Sequence, residues 1–163
     1  MAHEQQLLCV KQIVNASNLR SSDTIVEIGS WDVNGSVRQF FDASTYIGLD
    51  LAEGKGVDRV YVGQDLTCLE SDSIDVAISC ECFEHNPFWR ENLNDMVRIT
   101  KPGGIIVVTC ASRGRFVHGT VRRKEEITLL QSRTPENSGA FPSKNQIRLN
   151  VEKSFPLFLE VSA

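Results

Sequence analysis

A hydrophobic strand that ends on an acid-x-glycine turn, with a second strand ending in aspartate about twenty residues later, leaves this chain few folds to adopt. The first strand reads Thr24-Ile25-Val26-Glu27-Ile28-Gly29-Ser30, and Asn34-Gly35 opens the connection that follows. The second reads Thr45-Tyr46-Ile47-Gly48-Leu49-Asp50. In a β-α-β unit of this kind the glycine lets backbone approach a ligand, and the carboxylate reaches two ribose hydroxyls. The pair implies an adenosine-containing cofactor.

The alternation continues. Leu7, Leu8, Val10, Ile13 and Val14 make a helical stripe ahead of a polar turn over residues 15–23. Asn34 caps a predicted helix with Val37, Phe40 and Phe41 on one face. A short third strand is expected over 57–62 and a fourth over 74–79. Asn86-Pro87 then reads as a cap and first-turn proline for a helix burying Trp89, Leu93, Met96 and Val97. Lys101-Pro102-Gly103-Gly104 is expected to stop that helix and turn the chain into a fifth strand. That strand, Ile105-Ile106-Val107-Val108-Thr109, is an unbroken β-branched run of the kind found in a central strand covered on both faces. Such alternation predicts a three-layer αβα sandwich around a Rossmann-like, mostly parallel sheet. The 163 residues read as one domain: a helix and turn over 1–22, a core over 23–112 and an atypical tail over 113–163.

Charge narrows the partners. The net charge of −4 gives no global field for nucleic acid or an anionic membrane. No segment approaches a membrane span, and the start lacks a basic stretch leading into an apolar one. Five cysteines, an odd number set mostly in apolar runs, fit a reducing cytoplasm better than a disulfide scaffold.

Charge also sorts the cofactors. A dinucleotide seats its pyrophosphate on a helix N-terminus behind a third glycine. Here Ser30-Trp31-Asp32-Val33-Asn34-Gly35 puts a bulky indole and an acid where phosphates would lie. An acid there repels phosphate and tolerates a cation, which favours a phosphate-free ligand bearing sulfonium and ammonium groups over NAD.

Five motifs occur in order: Val26-Glu27-Ile28-Gly29, Gly48-Leu49-Asp50, Gln64-Asp65-Leu66, Asp75-Val76-Ala77-Ile78-Ser79-Cys80-Glu81 through Glu84-His85, and Lys101-Pro102-Gly103-Gly104. Over roughly residues 20–112 the chain resembles class I S-adenosylmethionine (SAM)-dependent methyltransferases, in particular small bacterial or phage-type domains. It departs from them in the loop Gly29-Ser30-Trp31, where a second glycine is usual, and in its tail.

The resemblance implies a seven-stranded sheet with SAM, or its product S-adenosylhomocysteine (SAH), across the carboxyl ends of strands one, two and four. It implies that Glu27 accepts from the methionine ammonium and that Gly29, Ser30 and Trp31 line the backbone turn. Asp50, with Leu51 beside it, would hold the ribose; Asp65 would accept from the adenine amino group, with Leu66 on the ring. Ser79, Cys80 and Glu81 would wall the transferring methyl.

His85 sits where a general base could take a proton from the acceptor; the plainer reading is a histidine that packs at a helix start. Methyl transfer needs proximity more than a base. Cys80, Cys82 and Cys110 fall at strand ends, and a C-x-C pair without a second pair reads as buried filler rather than a metal site. Arg113 and Arg115 begin a basic stretch after the fifth strand, which suggests either an anionic small-molecule acceptor or a solvated loop. Residues 146–151 and 158–161 could pair as an antiparallel hairpin. A tail that fails to complete the sheet would leave the fifth strand's edge to a homodimer partner, or leave a SAM-binding protein without activity.

Overall fold

The apolar runs become strands. The computed structural model describes residues 4–42, 45–61, 66–111 and 157–162. Within them β1 (Thr24–Ile28), β2 (Thr45–Asp50), β3 (Arg59–Val60), β4 (Ile74–Cys80), β5 (Thr100–Ala111) and β6 (Leu157–Ser162) form one sheet in the order β3-β2-β1-β4-β5-β6. Every pairing is parallel. The described residues hold six strands where the resemblance implies seven.

Two layers cover the sheet. Ile25, Val76, Ile78 and Val107 face α1 (Glu4–Ala16) and bury its Val10, with Leu7, Ile13 and Val14 packed alongside. Leu8, on the expected stripe, stays exposed. Val26, Ile28, Ala77, Ile106 and Val108 face the other way and bury Leu93, Met96 and Ile99 of α2 (Trp89–Ile99). Neighbouring positions on one strand thus feed opposite cores, so the strands read as continuous apolar runs. The predicted αβα sandwich is present.

Several local expectations change. Among the described residues, the connection from β1 to β2 holds a 3-10 turn, Val37–Phe40, in place of a helix, capped by the Ser36 hydroxyl rather than by Asn34. Its Phe41 is already extended, leaving too few residues to pay back helix nucleation. The third strand shrinks to two residues. Asn86 closes a 3-10 turn, Phe83–His85, and accepts from the Phe88 N–H, while α2 itself begins at Trp89.

Helix α2 ends through Thr100, whose hydroxyl donates to the Met96 carbonyl at 2.6 Å. Lys101-Pro102-Gly103-Gly104 therefore lies inside β5, as a bulge: Ile74 pairs with Thr100, but Val76 pairs with Ile105. Gly103 takes φ +82°, and a side chain on Gly104 would meet the Asp75 carbonyl.

The end of the chain adds a strand to the sheet. Residues 158–161 lie in β6, parallel to β5 from Ile106 opposite Leu157 to Ala111 opposite Ser162. Residues 146–151 lie outside the described residues. The edge of β5 expected to await a dimer partner is occupied by β6.

Candidate functional site

Strand order reverses between β1 and β4, and in open parallel sheets the crevice beyond the carboxyl ends at such a switch point is where ligands lie. Three strand ends meet there: Glu27-Ile28-Gly29, Leu49-Asp50 and Ser79-Cys80-Glu81.

Gly29 leaves β1 at φ +81°, in the left-handed region. Its N–H donates to the Leu49 carbonyl at 2.8 Å, and the Ser30 N–H reaches the same oxygen at 3.1 Å. The turn is thereby folded onto β2. There the Asp50 carboxylate accepts from the Trp31 N–H at 3.0 Å and from the Leu51 N–H at 2.7 Å. These two bonds fix the carboxylate; burial pushes its pKa up against them. Trp31 lies partly exposed, its indole against Gly54. Ser30 is buried, with its hydroxyl beside Gly48.

Asp32 is engaged otherwise than its place in the sequence suggested. Its carboxylate pairs with Lys55 at 2.7 Å and accepts from the Gly35 N–H at 2.8 Å, which holds its pKa below the usual carboxylate range. The repulsion of phosphate expected from this acid is offset by the adjoining ammonium.

Glu27 is 4% exposed and points into the layer shared with α1. The Tyr46 hydroxyl donates to its carboxylate at 2.8 Å. Burial pushes Glu27 up to about 7, against the opposing pull of Tyr46 and the Arg38 charge. Sequence reading missed Tyr46 and Arg38. The register supplies the signal: Ile25 pairs with Tyr46, so Tyr46 stands diagonal to Glu27 on the same face.

At the end of β4, the buried Ser79 hydroxyl donates to the Ile28 carbonyl at 3.1 Å, stapling two strands. Cys80 and Cys110 are buried, and burial pushes both thiols up to about 12. Glu81 is buried at φ +50°, a left-handed conformation that costs a non-glycine residue about 1–2 kcal/mol, and its N–H donates to the Thr109 carbonyl. Cys82, which no motif singled out as a ligand contact, packs against Gly29. His85 lies on the following 3-10 turn, with Nε2 3.9 Å from the Glu84 carboxylate and its side chain largely covered.

The structure thus gathers Glu27, Gly29, Ser30, Trp31, Asp50, Leu51, Cys80 and Glu81 at one end of the sheet, with His85 on the loop that leaves it. Leu66, expected against a ring, has its side chain fully buried in the core, while its N–H donates to Asp95 and its carbonyl accepts from Arg98. Asp65, Arg113 and Arg115 lie outside the described residues. Among the described residues no cluster of His, Cys, Asp and Glu could hold a metal ion, and no helix is long and apolar enough to cross a membrane.

Residues 36–108 match the family described as methyltransferase domain. The fold is similar to that of the YcgJ protein from Bacillus subtilis, at 15% identity and TM-score 0.54, covering 69% of this chain and 53% of that one. It is also similar to a putative methyltransferase from Bacillus halodurans C-125, at 14% identity and TM-score 0.52, covering 64% of this chain and 50% of that one. The chain spans about half the length of these solved structures. No curated protein sequence matches it.

Proposed function

From the match of residues 36–108 to a methyltransferase domain family and the fold shared with methyltransferase-like structures, we propose that the chain transfers a methyl group from SAM to a small-molecule acceptor. The observation that carries the reading is Asp50. Its carboxylate is fixed by the Trp31 and Leu51 N–H groups beside the Gly29 turn, at the switch point of a parallel sheet.

The donor set fits such a cofactor. The strand ends carry the carboxyl groups of Glu27 and Asp50, while the Lys55 ammonium is taken up by Asp32 and the Arg38 guanidinium by Asp58. A phosphate-free ligand with a positive ammonium suits this balance better than a pyrophosphate. Bound SAM supplies a methyl group activated on a sulfonium.

The chain's own residues then bind, orient and exclude water. Asp50 and Leu51 would hold the ribose, Glu27 the ammonium, and Gly29, Ser30 and Trp31 the turn alongside. Asp65 would take the adenine amino group, on a segment anchored through Leu66. Cys80 and Glu81 would close the wall near the reacting methyl. His85, paired with Glu84, would take the acceptor's proton where the acceptor has one to lose. Arg113 and Arg115 would favour an anionic acceptor. The free cysteines support a reducing, cytoplasmic setting.

Calorimetry with SAM, SAH and NAD tests the core of this reading. SAM and SAH should bind and NAD should not, and Asp50→Ala should weaken SAH by roughly 10-fold to 100-fold through loss of a charged hydrogen-bond acceptor. Tighter binding of NAD, or an unchanged affinity in the variant, would sink it.

A further inference from the structure

Glu27 is buried, and what surrounds it is a built assembly rather than a chance contact. Tyr46 on β2 donates to its Oε2 at 2.8 Å. The Tyr46 ring is clamped from the 3-10 turn: the Arg38 guanidinium lies 4.8 Å from the ring centroid, and the Phe41 ring 5.8 Å away at 59°. Arg38 is itself tied down. It donates to the Asp58 carboxylate at 2.9 Å and to the Tyr46 carbonyl at 3.2 Å, and the same Asp58 oxygen accepts from the Gly48 N–H at 2.7 Å.

A phenol packed against both a guanidinium and a second ring has little rotamer freedom, and its hydroxyl is directed at Glu27. A donor to a carboxylate favours the ionised form, while burial opposes it. The other titratable groups that act electrostatically on Glu27 are Asp50 at the end of β2, Asp32 in the loop after β1 and Cys80 on β4. None of these supplies a positive charge; that comes from Arg38.

We propose that Tyr46, locked by Arg38 and Phe41, is a positioning residue that aims the Glu27 carboxylate and keeps it ionisable for the cofactor's ammonium. This rests on the SAM reading above. Tyr46 does not touch the reacting atoms; it acts through Glu27.

The experiment compares the parent with Tyr46→Phe, which keeps the ring and the guanidinium stack and removes only the hydroxyl. Carboxyl NMR on ligand-free protein follows the Glu27 titration, and calorimetry follows SAH affinity from pH 6 to 8.5. The midpoint should rise by on the order of one pH unit in the variant. SAH should then bind about fivefold more weakly at pH 7 and nearly equally at pH 8.5, since the ligand's own amine titrates alike in both. A purely structural role would lower affinity by one factor at every pH and leave the midpoint in place, and that result overturns the proposal. Should Tyr46→Phe fail to fold, Arg38→Lys, which loosens the stack but keeps the charge, is read in the same way, and an unmoved midpoint there overturns it too. Failure of the parent to bind either SAM or SAH overturns the cofactor reading instead. Parent binding with a flat variant-to-parent ratio overturns this proposal alone.

Discussion

The Sγ of Cys82 lies 2.7 Å from the point where a Cβ on Gly29 would stand. The thiol carbon Cβ is nearer still, at 2.6 Å. The glycine is therefore required twice, by its left-handed backbone and by the side chain that occupies its missing volume. Gly29→Ala should cost at least about 2 kcal/mol in urea unfolding, the sum of αL strain and overpacking. A Gly29→Ala/Cys82→Gly pair should recover the packing share and keep the strain. Equal stability of the single variant and the parent would refute this account of the turn.

Glu27 makes stability fall with pH, and the sign can be worked out. Its folded pKa, about 7, lies above the ordinary carboxylate value of 4.5, so the folded state holds the proton more tightly. The associated stability is fully present below pH 4.5 and is lost as pH rises through 7. At most it amounts to roughly 3 kcal/mol. Glu27→Gln should therefore be the more stable protein at pH 8 without ligand, with the gap closing towards pH 4.5, as read by unfolding at several pH values. Parallel pH curves for the two proteins would exclude it.

Thiol reactivity should follow burial. Cys68 is exposed, whereas Cys80 and Cys110 are buried with thiols pushed up to about 12, so little thiolate exists at pH 8. Brief alkylation of the folded protein followed by peptide mass spectrometry should mark Cys68 first, with Cys80 and Cys110 reacting only on unfolding. Labelling of Cys80 at the rate of Cys68 would contradict the packing of β4.

Arg98 joins α2 to the segment after residue 65. It pairs with Asp95 at 2.8 Å and donates to the carbonyls of Leu66 and Leu69, each at 2.9 Å. Asp95 in turn accepts from the Leu66 N–H. Arg98→Ala should lower stability by about 1–3 kcal/mol, because charged hydrogen bonds to partly buried carbonyls are lost. Preserved thermal stability in this variant would show the network to be dispensable.

How far the sequence carries depends on the range of the interaction. Residues 24–29, 45–50 and 105–109 declare their strands through local apolar runs, and Gly29 and Asp50 mark the candidate site through their place at the ends of two successive strands. The 3-10 turn at Val37–Phe40 reads as a helix in the sequence because three apolar residues at helical spacing look alike in either form. The Tyr46–Glu27 bond needs the register between two strands, which composition does not fix. The pairing of β6 with β5 joins residues some fifty positions apart and leaves no local mark of its direction.

The loops after β1 and β2 are interlocked. Asp32 pairs with Lys55 and its N–H reaches the Lys55 carbonyl; Trp31 covers Gly54; a side chain on Gly56 would strike the Ser30 carbonyl, and one on Gly48 the Gly56 carbonyl. Neither loop can gain or lose a residue without a matching change in the other. This half of the rim is one mechanical piece, so a length change in either loop is expected to disturb both.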